Sequence, residues 1–226
     1  MSQTHQQARI KFCGMKRSKD VEYAVRLGVD YIGFVLVPGA KRAVEVQQVQ
    51  RIQDEVDCSG VCRVGVFRDQ HADDINALVQ ALSLDLVQLH GKEEQSLNAE
   101  ISVPIIRMVP VPVTGGDALP IGLPNDDLEA SNLYAILLDA SRADGESGGL
   151  GVLADPQALS QACAALPAWR RFFLAGGLTP QNVRGIVEQY QPDAVDVSSG
   201  IESQPGSKDA ERMRAFVDAV RGEQSR

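Results

Sequence analysis

Eight alternations between the sequence pattern of a strand and that of a helix constrain the fold of this chain more than any other feature. Strands that alternate with helices form a parallel sheet, and eight such units are what a closed (β/α)8 barrel requires. We therefore predict an α/β protein with the (β/α)8 TIM-barrel fold, as a single domain over residues 9–221 with flexible ends at 1–8 and 222–226. The predicted strands are Arg9–Cys13, Tyr31–Val37, Val61–Phe67, Leu86–Leu89, Val103–Val109, Tyr134–Leu138, Phe172–Ala175 and Asp193–Val197.

The last two predicted strands run into loops of very small residues. Gly176-Gly177 follows the seventh strand, and Ser198-Ser199-Gly200 follows the eighth. Small residues leave backbone N–H groups accessible, and the loops after the last two strands of such a barrel frequently hold a phosphate. Either loop alone is more often an ordinary turn. Together they predict a phosphate site at Gly176, Gly177, Ser199 and Gly200, formed by backbone amides rather than by lysine.

Two longer stretches of the second half are predicted to be loops. Residues 113–125 are rich in glycine and proline and favour a loop with a weak helix after it. Residues 140–151, after the sixth strand, are polar and glycine-rich, and a loop of this length is usually functional. We expect the second loop to be mobile and to close over a bound substrate.

Polar residues cluster at the ends of the predicted strands, which is the catalytic face of this fold. Each has an ordinary alternative, because a lone cysteine is more often a small buried hydrophobe and a lone aspartate is as often a cap. An arginine there is more often a solvated loop charge, and a histidine is often a hydrogen-bonded rim residue. Asp196 differs from the others, since it interrupts an apolar strand and must be paired if it points inward. The candidates are Cys13, Arg42, His90, Asp139, Asp196 and Ser199.

The charge and the polar start of the chain limit the partners that we expect. The formal net charge is -8 and the isoelectric point is about 4.9, whereas affinity for nucleic acid comes from clustered Lys and Arg. The chain has no apolar run of 18 residues, and its start lacks an apolar signal core. We therefore predict a cytoplasmic protein that binds neither nucleic acid nor membrane.

The cysteines and histidines are too few and too scattered to indicate a metal site or a disulfide framework. Cys58 and Cys62 have the spacing of half a metal site, but no matching pair accompanies them, and the chain has three histidines in all. We interpret Cys58, Cys62 and Cys163 as structural and predict no metal.

Seven short segments of the chain, taken in order, resemble the phosphoribosylanthranilate isomerase family of tryptophan biosynthesis. They are K-F-C-G at 11–14, G-F-V-L-V-P at 33–38 with Arg42, V-G-V-F at 64–67, Q-L-H-G at 88–91, L-L-D at 137–139, L-A-G-G-L-T-P-Q-N-V at 174–183, and D-V-S-S-G-I-E at 196–202 with P-G-S-K-D at 205–209. The resemblance covers nearly the whole chain.

The resemblance implies an Amadori rearrangement of a phosphosugar–anthranilate substrate, with no cofactor and in a monomer or weak homodimer. The ribose ring opens after its oxygen is protonated, and loss of the proton on C2 then gives an enolamine that becomes a ketone. By analogy with the family, Asp139 is the acid and Cys13 the base. Arg42 binds the anthranilate carboxylate through its planar fork, and His90 and Asp196 occupy substrate-binding positions of the family.

The sequence departs from the family pattern in two places. Residues 38–42 read P-G-A-K-R where the family usually has a serine-proline-arginine ending, and 148–152 read G-G-L-G-V where it usually has G-G-T-G and a basic residue.

Two other functions are alternatives to this interpretation. Another phosphosugar barrel, a tryptophan synthase α-like lyase or a ribulose-phosphate epimerase-like enzyme, would share the phosphate loops but needs other acid–base residues. A non-catalytic relative that binds phosphosugars or a partner chain is the second alternative, and the presence of both Cys13 and Asp139 argues against it.

Overall fold

Eight parallel strands close into a barrel in this computed structural model, which describes residues 7–94, 96–114, 132–141, 152–167 and 170–222. Each strand pairs with the next along the chain, and the first pairs with the last. The predicted (β/α)8 TIM barrel is therefore confirmed. The strands are β1 Arg9–Cys13, β2 Tyr31–Val35, β3 Cys62–Phe67, β4 Leu86–Leu89, β5 Ile105–Pro112, β6 Leu133–Ser141, β7 Phe172–Leu174 and β8 Ala194–Val197.

Helices in the described part of the chain follow the strands and cover the outside of the barrel. Their amphipathic sequences place one apolar face on the strands. They are α1 Ser18–Arg26, α2 Val46–Glu55, α3 Ala72–Ala81, α4 Leu97–Glu100, α5 Pro156–Ala165, α6 Val183–Tyr190 and α7 Ala210–Arg221. None of the helices described here is both long enough and apolar enough to span a membrane.

Alternation along the strands divides the core into two layers, because successive side chains of a strand point to opposite faces. The outer layer lies between strands and helices and includes Ile10, Phe12 and Phe216. The inner layer fills the barrel below its mouth and contains Tyr31, Val64, Leu86, Ile106, Ala135, Leu137, Phe173, Ala175 and Ala194. The barrel is therefore a packed core, and chemistry is confined to its ends.

A short antiparallel hairpin lies between β8 and the last helix. Its strands are β9 Glu202–Gln204 and β10 Ser207–Lys208, and the turn contains Gly206 at φ 79°. Pro205-Gly206 is a dipeptide that marks a turn in the sequence. The hairpin pairs Lys208 with Glu202, which brings the lysine back to the mouth of the barrel.

Several sequence predictions fall wholly or mostly outside the described residues. These are the glycine-rich and proline-rich segment 113–125, the proposed mobile loop at 140–151 with its altered family motif, and most of the predicted flexible ends. At the amino end, Ala8 is buried and joins the outer core layer.

Candidate active site

A cavity of about 330 Å³ opens at the carboxyl ends of the strands. It is lined by eight of the nine residues that the sequence singled out: Cys13, Arg42, His90, Asp139, Asp196, Gly176, Gly177 and Ser199. These residues come from β1, β2, β4, β6, β7 and β8 and the loops that follow them. The topology thus brings together side chains that are up to 186 positions apart in the sequence.

Cys13 is the last residue of β1 and its thiol is buried. Burial raises the pKa of this thiol, and Asp196 raises it further, whereas the positive charges of Lys11 and Lys208 lower it. The net shift is upward, so the free protein holds Cys13 mainly as a neutral thiol.

Asp139 lies within β6 and faces the same cavity, with 4% of its surface exposed. Burial and the nearby charge of Asp196 raise the pKa of its carboxyl to about 7. A carboxyl group in such a site keeps its proton up to neutral pH and is therefore available as a proton donor.

His90 follows β4 and lies beside Asp139, with 3.4 Å between Nε2 and Oδ2. Burial lowers the pKa of His90 to about 4, and the positive charge of Arg68 adds to this effect. The Nδ1 atom lies 3.1 Å from the side-chain amide of Gln88, a buried β4 residue that also lines the cavity. At neutral pH His90 is uncharged, and its contact with Asp139 is not an ion pair.

Asp196 satisfies the sequence expectation that an inward aspartate in an apolar strand must be paired. Its partner is Lys11, which is fully buried on β1 and lies in register with it across the β1–β8 pair. The Lys11 ammonium donates to Asp196 Oδ2 over 2.9 Å. The other oxygen, Oδ1, is buried and has no hydrogen-bond partner among the described residues.

Arg42 lines the cavity, but its planar fork is already engaged. Its Nε and Nη2 atoms donate to the two carboxylate oxygens of Glu202, each over 2.7 Å. Lys208 donates to the same carboxylate over 2.9 Å. The sequence-based picture of a fork open to a substrate carboxylate therefore needs correction, because the fork of Arg42 binds Glu202 in this structure.

The hairpin also places a lysine beside one of the phosphate loops, which the sequence predicted to bind through backbone amides rather than lysine. Lys208 Nζ donates to the Ser198 carbonyl oxygen over 3.0 Å, and Ser198 Oγ in turn donates to the Cys13 carbonyl oxygen over 3.0 Å. A buried cation is thus in contact with the loop after β8. Lys208 is only ten residues beyond Ser198 in the sequence, and the turn at 205–206, which brings it back to the loop, was the feature that could have revealed it.

The two glycine loops pack against each other and against the segment before α5. Gly176 and Gly177 have φ angles of 85° and 62°, which favour glycine. A Cβ atom on Gly177 would lie 2.2 Å from the carbonyl carbon of Val152, and one on Gly200 would lie 1.9 Å from the Leu178 carbonyl oxygen. Gly200 therefore serves loop packing, whereas Gly176, Gly177 and Ser199 border the cavity directly.

Asn182 fixes the shape of the loop after β7 and was not identified from the sequence. Its side-chain amide donates to the Gly177 carbonyl oxygen over 2.9 Å, and its Oδ1 accepts from the Thr179 backbone N–H over 2.8 Å. Such an arrangement holds the loop backbone in one conformation before a ligand arrives.

A larger cavity, of about 770 Å³, lies at the amino ends of the strands. Its arginines are engaged within the protein: Arg184 pairs with Glu188 over 2.9 Å, and Arg221 donates to the carbonyl oxygens of Leu27 and Gly28. Arg9 donates to the hydroxyl groups of two barrel tyrosines. This end of a (β/α)8 barrel contributes to stability, and the catalytic face is the opposite one.

A carboxyl and a thiol that face one cavity from different strands can move a proton between the atoms of one bound molecule, which places this protein among the barrel enzymes that use acid–base catalysis. The family model described as N-(5'phosphoribosyl)anthranilate (PRA) isomerase matches residues 10–219. The chain belongs to this family.

Individual relatives agree with the family match. An N-(5'-phosphoribosyl)anthranilate isomerase from Xylella fastidiosa (strain M12) is 37% identical over 213 residues, covering 94% of this chain and 91% of the relative. The crystal structure of phosphoribosyl anthranilate isomerase from Thermus thermophilus superimposes with a TM-score of 0.78 at 31% identity, covering 95% and 98%. A phosphoribosyl anthranilate isomerase in complex with reduced 1-(o-carboxyphenylamino)-1-deoxyribulose 5-phosphate gives a TM-score of 0.75 at 30% identity, covering 95% and 99%.

Proposed function

We propose that the cavity at the carboxyl ends of the strands is where this isomerase converts N-(5'-phosphoribosyl)anthranilate to 1-(2-carboxyphenylamino)-1-deoxyribulose 5-phosphate, with Asp139 as acid and Cys13 as base. The reaction is the Amadori rearrangement of tryptophan biosynthesis. The observation that carries the assignment is that the two groups line one cavity and that Asp139 retains its proton near neutral pH.

The acid step is the opening of the ribose ring. Asp139 donates its proton to the ring oxygen, the C1–O bond breaks, and the lone pair of the anthranilate nitrogen forms the C1=N bond of a Schiff base. A pKa of about 7 suits this donation, because a large share of the carboxyl groups is still protonated near neutral pH and each gives up its proton readily. The neutral His90 beside it leaves the carboxyl in its protonated form, whereas a charged imidazolium would favour the carboxylate.

The base step removes the proton on C2. The thiolate of Cys13 takes that proton, the C–H electron pair forms the C1–C2 double bond, and the C=N electrons return to nitrogen to give the enolamine. Protonation at C1 and loss of the hydroxyl proton then yield the ketone. Asp196 Oδ1, which is buried and has no partner among the described residues, accepts a hydrogen bond from a sugar hydroxyl in this proposal.

The two anionic ends of the substrate bind to different groups at the mouth of the barrel. Gly176, Gly177 and Ser199 border the phosphate, with the Lys208 cation behind the Ser198 loop. Arg42 binds the anthranilate carboxylate through N–H groups that are not directed at Glu202, and Glu202 fixes the plane of the guanidinium. Gly200 acts indirectly by holding the two loops together.

Turnover of phosphoribosylanthranilate by the purified protein and by two variants tests this function. Cys13→Ala and Asp139→Asn are each expected to reduce kcat by at least ~10² while ligand affinity is retained, the usual scale for one acid–base group. Cys163→Ala is the control, since that thiol lies in α5. Wild-type turnover by either site variant rejects the role of that residue, and absence of turnover by the parent protein rejects the function.

We also propose that the protein works in the cytoplasm as a monomer or weak homodimer, without nucleic acid. The net charge of -8 supports the last point. Sedimentation at several concentrations distinguishes the two assemblies.

A further inference from the structure

We propose that Lys11 is a positioning residue of the isomerase, whose buried ammonium group stabilises the thiolate of Cys13 and fixes Asp196 so that its second oxygen faces the sugar. This inference rests on the proposed function, because it assumes that Cys13 is the base. Lys11 belongs to the K-F-C-G segment, but neither the family resemblance nor the acid–base assignment gives it a role.

The position of Lys11 is set by strand geometry. Lys11 and Cys13 are two residues apart on β1, so both side chains point into the barrel, with Lys11 one layer below the thiol. Gly33 of β2 lies in register with Cys13 and leaves the space that the two groups share. A Cβ atom there would lie 2.9 Å from Cys13 Sγ and 3.3 Å from Lys11 Nζ.

Lys11 stays charged in this site. Burial alone acts to lower its pKa, but the charges of Asp196 and Cys13 outweigh burial, and the net pKa lies above the usual value. A fully buried ammonium on its own would be very costly, so its retention requires partners of opposite charge. The Asp196 carboxylate is one partner, and the thiolate formed on Cys13 is the second.

The charges around Cys13 reduce the cost of forming a second anion there. The groups that face the thiol are Lys11 from β1, Asp196 from β8, Lys208 from the hairpin and Arg42 from the loop after β2. Glu202 neutralises only one of the last two cations. With three cations and two carboxylates, the cluster carries one net positive charge, and the thiolate brings it to zero.

The proton balance gives Lys11 a specific task. The reaction needs one proton on the pair formed by Asp139 and Cys13, and it needs that proton on the carboxyl. Burial favours the thiol form of Cys13, so the productive arrangement is the minor one. Lys11 is the strongest charge that lowers the pKa of Cys13, whereas on Asp139 it ranks behind Asp196 and the Ala140 backbone. Because Lys11 Nζ shares the space beside Gly33 with Cys13 Sγ, its charge acts most directly on the thiol, and in this proposal it shifts the shared proton towards the carboxyl.

Two variants that break the same ion pair test this role, because they shift the pH at which the Cys13 thiol ionises in opposite directions. They are made in a protein in which Cys58, Cys62 and Cys163 are Ala, so that Cys13 is the single thiol. Lys11→Met is expected to raise the pH at which Cys13 ionises and to slow its alkylation by iodoacetamide at least ~10-fold at about pH 8, while Asp196→Asn lowers that pH and speeds alkylation. A purely structural ion pair would give both variants the same response.

Steady-state kinetics complete the test. Lys11→Met is expected to lower kcat at least ~10-fold with a smaller change in KM, since the proton transfer is affected more than the contact of Asp196 with the sugar. Unchanged alkylation and kcat in Lys11→Met, or a shift of the same sign in both variants, overturns the role of Lys11. If Lys11→Met does not fold, Asp196→Asn decides alone, and a thiol that ionises at an unchanged or higher pH in that variant rejects the proposal. Full turnover by Cys13→Ala would instead reject the proposed function itself.

Discussion

His90 and Asp139 lie 3.4 Å apart, and burial moves their pKa values in opposite directions, to about 4 for the imidazole and about 7 for the carboxyl. Both groups are therefore neutral between these two values. An imidazole and a carboxyl in water would form the reverse, charged pair over much of that range. The pocket thus keeps the acid of the reaction protonated, with a neutral imidazole and not an imidazolium at its side.

The pH dependence of activity follows from the same shift. The productive form carries one proton on the Asp139–Cys13 pair, so the pair must first lose one of its two protons, and the carboxyl with a pKa of about 7 sets that loss. We expect kcat/KM to rise with pH through about 7 and to fall only when the thiol loses its proton at higher pH. A profile of kcat/KM against pH that falls steadily above about pH 5 contradicts this order of ionisation.

Stability is expected to change with pH through Asp139. Its folded pKa is raised, so the native state binds more protons than the unfolded chain between the ordinary value and about 7, and stability falls as pH rises through that window. Asp139→Asn removes this loss and is expected to raise Tm by about 4 °C or more at about pH 8. Thermal unfolding at about pH 4 is the control, because the native carboxyl of Asp139 is then neutral, as the asparagine of the variant is at every pH. An equal difference at both pH values refutes the interpretation.

His90 makes the opposite contribution over a similar range. Its folded pKa is lowered to about 4, so the unfolded chain binds more protons up to its ordinary value, and stability rises with pH in that window. The two residues partly offset each other below neutral pH. The Asp139 effect is thus expected to stand alone only above about pH 6.5.

Gly200 and Gly185 form a matched pair for the packing of the glycine loops. A Cβ atom at Gly200 meets the Leu178 carbonyl oxygen at 1.9 Å, whereas one at Gly185, within α6, meets nothing within 4 Å. Gly200→Ala is expected to destabilise the protein, and Gly185→Ala to stabilise it by about 0.5–1 kcal/mol. Urea unfolding measures both. Equal stability of the two variants would show that the loop after β7 yields to the added methyl group.

The same contact decides which variant reports on phosphate binding. Valine at Gly177 or Gly200 displaces protein backbone before it meets a ligand, so a raised KM there has two causes. Ser199→Ala removes only a hydroxyl group at the edge of the cavity. Its expected loss of phosphate affinity is roughly 0.5–3 kcal/mol, one hydrogen bond to an anion, and unchanged inhibition by inorganic phosphate would remove Ser199 from the site.

Arg42→Lys tests the fork that Glu202 holds. Lysine keeps the charge but has no planar pair of donors, so we expect KM to rise about tenfold with a smaller change in kcat. Arg63→Lys is the control, because Arg63 forms the same two-point contact with Asp85 at a partly exposed position. A KM change of equal size in both variants would show that the change does not arise from the loss of a substrate contact in the cavity.

The sequence predicts the barrel and most of the cavity because both depend on local patterns. Apolar alternation marks the strands, and in a parallel barrel every strand end belongs to one face, so Cys13 and Asp139 come together without knowledge of distances. The contacts of Lys11 and Lys208 depend instead on the register of β1 with β8 and on a two-residue turn. Pairing across 185 residues leaves no local pattern, and for that reason the ion pair below the thiol emerges only from the structure.

The Lys11–Asp196 contact lies on the seam where the first strand meets the last, and this has a consequence for how the protein is made. During synthesis at about 5–20 residues per second, β1 leaves the ribosome roughly 10–40 s before β8 can dock beside it. Throughout that interval one edge of β1 is unpaired and open to other chains. Inward-pointing charges are a known protection for such an edge, and β1 carries two of them, Arg9 and Lys11. A charge at Lys11 is expected to disfavour the pairing of this edge with other chains until β8 docks.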